Sequence, residues 1–182
     1  MNKDIKKILI SERELDKIVS RIAGEIEKDY AKSGKKLLLL CILKGSVVFT
    51  AELMKKINLP VEIDFMKVSS YGGGTTSTGK PNIILDLSRR DLSNIDIVVV
   101  EDIIDSGNTL SYLTEYLKLK GANSVKTATL LDKKSRRMVN FEPDYVGKDI
   151  PDEFVVGFGL DYDEQYRNLP YIGILKQEVY SK

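Results

Sequence analysis

The chain contains no histidine and only one cysteine among its 182 residues. The lack of histidine excludes Ser-His-Asp and Cys-His nucleophile systems, and it also excludes zinc sites built on histidine. The single cysteine, Cys41, cannot form an intramolecular disulfide or a metal site with several thiolates. Because Cys41 lies within the apolar run 37–43, we expect it to be a small core residue. The remaining chemistry depends on carboxylates, lysine and arginine, hydroxyls, backbone groups or a hard metal ion.

Long apolar runs and an excess of charge of either sign are also missing. The longest apolar run is seven residues, which is too short for a membrane-spanning helix, and the apolar residues 8–10 are too few for a signal peptide. The 28 Lys and Arg residues balance 27 Asp and Glu residues, which argues against a protein that mainly coats nucleic acid or an anionic membrane. With no disulfide framework, the chain suits a reducing compartment. We therefore predict a cytoplasmic protein without nucleic-acid or membrane partners.

What the sequence does contain is a series of apolar segments that alternate between strand and helix patterns. A length of 182 residues and a prior of about 150 residues per domain predict a single domain over 1–182. The predicted strands are 37–43, 61–69, 83–87, 95–100, 124–131, 155–158 and 171–175. One predicted helix follows a capping box at Ser11, and two others cover 47–57 and about 109–120. In strand 61–69 we expect Ile63, Phe65 and Val68 to point inward. This alternation predicts an α/β fold with a mostly parallel central sheet.

The composition changes abruptly in the segment 69–80. Ten of these twelve residues are Gly, Ser or Thr, and Tyr71 is the only bulky side chain. Such a segment buries too little apolar area to offset the entropy lost on ordering it. It is therefore either a linker or a mobile lid. Because neither flanking half has an independent core, we predict a flexible lid carried by a hairpin.

Polar residues follow the predicted strand 95–100, and they include Glu101, Asp102 and Asp105. In open α/β sheets, ligands bind beyond the carboxyl ends of the strands. Clustered carboxylates at such a place are costly unless a cation or a hydroxyl-rich ligand compensates them. The small residues 106–109 open a helix, where backbone N–H groups and the helix dipole favour an anion such as phosphate. The alternative is an ordinary strand-to-helix turn with exposed acids.

The string 98–109, VVVEDIIDSGNT, resembles the ribose-phosphate loop of type I phosphoribosyltransferases, and within that family the hypoxanthine-guanine branch. Further motifs resemble that family in its own order: the pyrophosphate loop at 43–46, the lid at 69–72, the base-reading lysine at 131–133, and the purine-stacking segment and tail at 151–162 with Arg167. Together these motifs extend over most of the chain. The resemblance implies a single domain with a central, mostly parallel twisted sheet flanked by helices, a small hood region and a flexible lid loop.

The resemblance also implies a reaction. The 5-phosphoribosyl group of 5-phosphoribosyl 1-pyrophosphate (the activated sugar) is transferred to hypoxanthine or guanine, giving IMP or GMP and pyrophosphate, with Mg²⁺ as cofactor. Asp105 is the expected catalytic base at purine N7. Glu101, Asp102 and Asp161 are the expected metal ligands. No covalent nucleophile is needed, which agrees with a chain that lacks histidine. We also expect a homodimer or homotetramer.

The substrate contacts that the resemblance implies extend along the whole chain. Lys133 donates to the exocyclic oxygen of a 6-oxopurine, Phe154 stacks on the purine, and the Val155 backbone meets the base edge. The full set comprises Lys44, Gly45, Ser70, Tyr71, Glu101, Asp102, Asp105, Ser106, Gly107, Asn108, Thr109, Leu110, Lys133, Phe154, Val155, Asp161 and Arg167. The alternatives are that Lys44 is a solvated lysine before a turn glycine and that Phe154 is a plain core residue. The run 133–137, taken alone, indicates a solvated basic loop.

Two functions from other classes remain as alternatives. The first is a regulator that binds RNA and keeps the loop 101–109 as a ligand sensor, which would need a basic face that the charge balance does not favour. The second is a dinucleotide-binding oxidoreductase, but no G-x-G-x-x-G follows the first predicted strand. The motifs therefore favour the transferase.

Overall fold

Nine strands, four α-helices and one short 3₁₀ helix make up the secondary structure of the described residues, 2–69 and 81–181, in this computed structural model. In chain order they are β1 (Ile5–Ile10), α1 (Glu12–Tyr30), β2 (Lys36–Leu43), α2 (Val47–Lys56), β3 (Val61–Ser69), β4 (Asn82–Leu85), β5 (Ile95–Ile104), α3 (Asn108–Leu119), β6 (Ser124–Asp132), the 3₁₀ helix (Lys134–Arg136), β7 (Tyr145–Asp149), β8 (Val155–Val156), β9 (Ile172–Leu175) and α4 (Gln177–Tyr180). Residues 70–80, which include Ser70, Tyr71 and nearly all of the predicted lid, lie outside the described part of the chain.

The central sheet has six strands in the order β4-β3-β2-β5-β6-β7. Strand β2 pairs in parallel with β3 on one side and with β5 on the other, and β5, β6 and β7 continue the parallel arrangement. Strand β4 runs antiparallel to β3, which forms the predicted hairpin. The predicted α/β fold with a mostly parallel sheet is therefore confirmed. The carboxyl ends of β2, β5 and β6 lie at one edge of the sheet, which is where ligands bind in such folds.

Helices cover both faces of the central sheet. Apolar residues of α1 and α2, including Leu15, Ile22 and Phe49, pack on one face, while Leu113 and Leu117 of α3 pack on the other. The central strands β2 and β5 are consequently buried on both faces, which explains their continuous apolar sequence. At the start of α1, the Oγ atom of the predicted cap accepts a hydrogen bond from the N–H three residues later. The single cysteine is fully buried, as predicted.

A second, three-stranded antiparallel sheet of order β1-β9-β8 forms the predicted hood. Its apolar cluster is built on Ile5, Val156 and Leu175, with several tyrosines packed against it. The sequence predicts β8 and β9 but misses β1. In β1 the buried residues stand at the two ends, Ile5 and Ile10, so the strand lacks the alternation of apolar and polar residues by which strands are recognised.

Two expectations about the strands are wrong. In β3, Ile63 is 44% exposed and Phe65 is half-buried, whereas Met66 is fully buried, because Met66 packs in the apolar cluster that includes α3, and residues 63 and 65 alternate to the opposite face of the strand. Strand β5 extends beyond Val100 to Ile104, because its pairing with β6 continues that far. The strand β7 is also absent from the prediction.

None of the helices in the described ranges combines the length and apolar character needed to cross a membrane.

Candidate active site

The predicted acid pair lies near the carboxyl end of β5. Glu101 has a buried Oε2 atom without a hydrogen-bond partner, and Asp102, which is 9% exposed, accepts a hydrogen bond from the N–H of Ile103 (2.7 Å). Burial and then the charge of Asp102 raise the pKa of Glu101 well above its usual range. Burial also raises the pKa of Asp102 to about 6, against the effect of backbone hydrogen bonds and the charge of Arg167. The pair therefore favours a cation or a hydroxyl-rich ligand.

The loop between β2 and α2 packs directly on this acid pair. The peptide bond between Leu43 and Lys44 is cis. The backbone of Gly45 lies so close to Asp102 that a β-carbon at this position would overlap the carboxylate. A β-carbon on Gly159, which has a positive φ of 102°, would likewise overlap the carbonyl oxygen of Gly45. Three segments that are distant in sequence thus meet at Gly45, one through the Asp102 carboxylate and one through the backbone of Gly159.

A network of ion pairs joins three of the predicted site residues, Lys44, Asp161 and Arg167, to Glu164 in the loop before β9. The Arg167 guanidinium lies 2.9 Å from Asp161 Oδ1 and also donates to the carbonyl oxygen of Gly159 (2.8 Å). Lys44 Nζ donates to Glu164 Oε1 (3.0 Å), and Glu164 in turn lies 3.4 Å from Arg167. The sequence analysis does not identify Glu164. Its pKa lies below the usual range, chiefly because Lys44 donates to it.

The loop from β5 to α3 lines a cavity of about 250 Å³. The cavity is lined by Glu101, Ile103, Ile104, Asp105, Ser106, Gly107, Thr109 and Leu110. Gly107 has a positive φ of 83° and directly precedes α3, and the N–H of Asn108 donates to Ser106 Oγ (3.3 Å). Asp105 Oδ1 is buried without a hydrogen-bond partner. The predicted ribose-phosphate residues are therefore brought together at a helix start, with the exposed side chain of Asn108 outside the cavity lining.

A largely buried arginine, Arg137, holds this loop through hydrogen bonds. Arg137, whose side chain is 12% exposed, donates to the carbonyl oxygen of Asp105 (2.7 Å) and to Oδ1 of the fully buried Asp132 (2.6 Å). The next two backbone N–H groups donate to the carbonyl oxygen of Ser106. The interpretation of 133–137 as a solvated loop is thus wrong for Arg137. Tertiary contacts, which the local sequence does not show, direct its guanidinium onto the 105–109 loop. The only sequence signal is an aspartate five residues before it.

The predicted base-binding residues directly follow β6 and lie at the start of β8. Lys133 is 8% exposed, and its Nζ atom lies 3.8 Å from Asp152 Oδ1. Phe154, two residues further on, is 36% exposed, so the plain-core reading is wrong for this ring. Val155 is buried and pairs with Ile174 in the hood sheet. The ion pair between Lys133 and Asp152 brings Lys133, which is predicted to donate to the base, and Phe154, which is predicted to stack on it, to the same region.

Comparisons with known proteins agree with this geometry. The family profile described as the phosphoribosyl transferase domain matches residues 5–163. The chain is 52% identical over its full length to the hypoxanthine-guanine phosphoribosyltransferase of Streptococcus thermophilus, of which the match covers 99%. It is 53% identical over its full length to the protein of the same name from Streptococcus agalactiae, again with 99% of that protein covered.

Solved structures give the same result. A hypoxanthine phosphoribosyltransferase from Staphylococcus aureus superposes with a TM-score of 0.91 at 50% identity, covering 98% of this chain and 96% of that one. The hypoxanthine phosphoribosyl transferase of Trypanosoma cruzi superposes with a TM-score of 0.94 at 40% identity, covering 100% of this chain and 96% of that one. A profile match over most of the chain, full-length identity and a shared fold lead to one conclusion. The chain belongs to the phosphoribosyl transferase family.

Proposed function

We propose that this chain is a purine salvage enzyme that transfers the 5-phosphoribosyl group of the activated sugar to hypoxanthine and guanine. The products are IMP or GMP and pyrophosphate. The observation that carries the proposal is the acid pair Glu101 and Asp102, in which Asp102 packs on Gly45 and Glu101 lines the cavity at the 105–109 loop. Acceptors for hydroxyls and donors for phosphate are thus adjacent, which suits a phosphorylated sugar.

The sugar phosphate fits the cavity between the acid pair and the start of α3. Glu101 Oε2, which has no partner within the protein, is a natural acceptor for a ribose hydroxyl. The backbone N–H groups of the first turn of α3, with Ser106, Asn108 and Thr109 in the loop and the helix, are suited to the 5-phosphate. Gly107 enables this turn, because its left-handed conformation is unfavourable for residues with a β-carbon.

The acid pair also fits Mg²⁺. Carboxylate oxygens are the ligands that Mg²⁺ prefers, and it usually combines one or two of them with substrate oxygens. Glu101 and Asp102 provide such a pair, whereas Asp161 forms an ion pair with Arg167 and accepts a hydrogen bond from the Glu164 N–H. Within the described ranges no three acidic side chains converge to form a complete metal site. When bound, Mg²⁺ neutralises charge on the departing pyrophosphate.

The base is proposed to lie against Phe154, with Lys133 donating to its exocyclic oxygen and the Val155 backbone at its edge. The purine N9 forms a bond to the anomeric carbon while the bond from that carbon to pyrophosphate breaks, and Asp105 takes the proton from N7. The transition state resembles an oxocarbenium ion, as in other glycosyl transfers. The buried and unpartnered Oδ1 of Asp105 supports this role, because it is free to accept.

The pyrophosphate is proposed to contact Lys44, the Gly45 backbone and Arg167. Both cations pair with Glu164 in this structure, so binding of pyrophosphate exchanges one anionic partner for another. A guanidinium suits phosphate oxygens because it presents two parallel donors. On sequence grounds alone, Ser70 and Tyr71 are proposed to cover the pyrophosphate and the sugar.

We further propose that residues 1–182 act as one phosphoribosyltransferase domain, that the protein assembles as a homodimer or homotetramer, and that it works in the cytoplasm on small molecules rather than nucleic acid or membranes. The N-terminal strand β1 supports the first point, because it pairs with β9 near the other end of the chain. Size-exclusion chromatography with light scattering tests the assembly.

A spectrophotometric assay tests the proposed reaction. Purified protein is mixed with the activated sugar, Mg²⁺ and hypoxanthine, guanine or xanthine in turn. We expect turnover with hypoxanthine and guanine, and loss of turnover in the double variant Glu101→Gln with Asp102→Asn. Glu115→Gln, on the exposed face of α3, is the matched control and should behave like the wild type. Lack of turnover with all three bases would contradict the proposed function.

A further inference from the structure

Two tyrosines that follow Phe154 in the chain, one in the loop before β9 and one in α4, contact its aromatic ring. Tyr180, the last residue of α4, stacks on Phe154 with a centroid distance of 4.8 Å and an interplanar angle of 21°. Tyr162 meets the same ring edge-on at 5.6 Å and 88°. The carbonyl oxygen of Phe154 accepts a hydrogen bond from the N–H of Leu175 (2.8 Å), which ties its backbone to β9.

The face of Phe154 that Tyr180 covers is the packed side of the ring. Tyr180 and Tyr162 both pack against the hood cluster around Ile5 and Val156, so this side continues into the interior of the hood. Phe154 is nevertheless 36% exposed. With one face stacked and one contact made edge-on, the exposed area falls on the remainder of the ring, which includes the opposite face.

We propose that Tyr180 is a positioning residue for the purine base. This inference rests on the proposed function, because it assigns the open face of Phe154 to the base. By stacking on one face of the Phe154 ring, Tyr180 fixes the plane of that ring. The opposite, open face is then already oriented before the base binds. A ring held in its bound orientation loses less conformational entropy on binding, and offset stacking of aromatic groups adds a favourable interaction. The short C-terminal helix α4 is thereby part of the base site.

The consequence is specific to one substrate. Among the described residues, Tyr180 does not line the cavity at the 105–109 loop, and the ion pairs around Lys44 are formed without it. Weakening the stack should therefore raise KM for the base while leaving KM for the activated sugar and kcat nearly unchanged. A residue that merely stabilised the fold would not separate the two substrates in this way.

Steady-state kinetics on three substitutions of Tyr180 test the inference. Tyr180→Ala removes the stack and should raise KM for hypoxanthine roughly 3- to 10-fold, the range for an aromatic pair. Tyr180→Phe keeps the ring and should restore the wild-type KM. Tyr180→Leu fills the hood without a flat ring, so a raised KM with an unchanged melting temperature separates stacking from packing. Glu178→Ala, an exposed residue of the same helix, is the matched control.

Two outcomes would overturn the inference. A lower KM for the base in Tyr180→Ala would mean that Tyr180 occupies the base face and competes with the substrate. Equal changes in KM for both substrates would mean that Tyr180 acts through general stability. Phe154→Ala distinguishes these failures from failure of the proposed base site. If Phe154→Ala raises KM for the base and Tyr180→Ala does not, only the inference about Tyr180 fails, whereas unchanged KM in both variants contradicts the base site itself.

Discussion

The backbone of Gly45 lies directly against the carboxylate of Asp102, although Gly45 belongs to the loop between β2 and α2 and Asp102 to the last residues of β5. The contact leaves no space for a side chain at position 45. A backbone amide and a carboxylate are thereby held side by side at the edge of the sheet where ligands bind. The position of Asp102 thus depends on Gly45, a glycine in the loop between β2 and α2.

We predict that Gly45→Ala lowers kcat/KM by about 100-fold, because the added methyl group displaces Asp102, and a shift of about 1 Å in a positioning group has an effect of this size. Steady-state kinetics with both substrates check the value. The matched control is Gly24→Ala in the exposed middle of α1, where a β-carbon meets nothing within 4 Å. This control should keep full activity and gain about 0.5–1 kcal/mol of stability, because alanine favours a helix. Full activity in Gly45→Ala would show that Asp102 tolerates displacement.

The raised pKa of Asp102 predicts a pH-dependent cost to stability. An acid whose pKa is raised in the folded state binds more protons folded than unfolded, so the free energy of unfolding falls as the pH rises. For Asp102, with a pKa of about 6 against 3.8 in its ordinary state, this loss develops between about pH 4 and pH 6 and is complete above that range. Burial is the main cause of the shift.

Asp102→Asn should therefore be more stable than the wild type at pH 7.5, by roughly 1–3 kcal/mol, and nearly equal to it at pH 4. Urea unfolding at the two pH values, without Mg²⁺, measures the difference. Asp91→Asn is a control of opposite sign, because hydrogen bonds from Ser93 lower the pKa of the exposed Asp91, so this variant should gain no stability at pH 7.5. A stability gain that is the same at both pH values would show that the carboxylate charge is not its source.

Much of the fold follows from the sequence because two of its strands are covered on both faces. Continuous apolar runs predict β2 to within one residue and the start of β5, and helical spacing predicts α3. The acid pair Glu101 and Asp102 is identifiable because carboxylates rarely follow a buried strand without a partner. Local pattern and global fold agree at these places, so sequence reasoning succeeds.

Other features depend on contacts between distant segments. Strand β1 is stabilised by pairing with β9, more than 160 residues away, and its own sequence does not alternate. The roles of Arg137 and Glu164 depend on which charges meet in three dimensions, and a basic or acidic run looks the same whether it faces water or a loop. The stack of Tyr180 on Phe154 is likewise absent from any local pattern.

Asp105→Asn tests the proposed catalytic base. The amide preserves the size of the side chain but does not take the N7 proton, so kcat should fall roughly 10²- to 10⁴-fold. Binding of the activated sugar, measured by calorimetry with Mg²⁺, should change little, because the loop keeps its backbone contact with Arg137. Turnover within about threefold of the wild type would exclude Asp105 as the base, since a positioned base contributes far more.

Arg137 is expected to support catalysis by holding the Asp105 loop. A lysine at this position retains a positive charge beside the fully buried Asp132, but its single ammonium group does not reproduce the fork that also reaches the Asp105 carbonyl oxygen. Arg137→Lys should therefore lower kcat by about 10-fold or more while the protein stays folded, because a small shift of a catalytic group has a large effect on rate.

Arg137→Met separates this positioning role from stability. It leaves the Asp132 charge buried without its partner, which should reduce the free energy of unfolding by about 3–5 kcal/mol. Arg136→Lys is the matched control, because Arg136 is an exposed neighbour that pairs with Asp152 at the surface, where such pairs contribute about 0–1 kcal/mol. Thermal unfolding and steady-state kinetics on the three variants give the comparison. Wild-type kcat in Arg137→Lys would mean that Arg137 only neutralises the charge of Asp132. A reduced kcat in Arg137→Lys at a nearly unchanged melting temperature would identify the hydrogen bond to the Asp105 carbonyl oxygen as the contact that positions the loop.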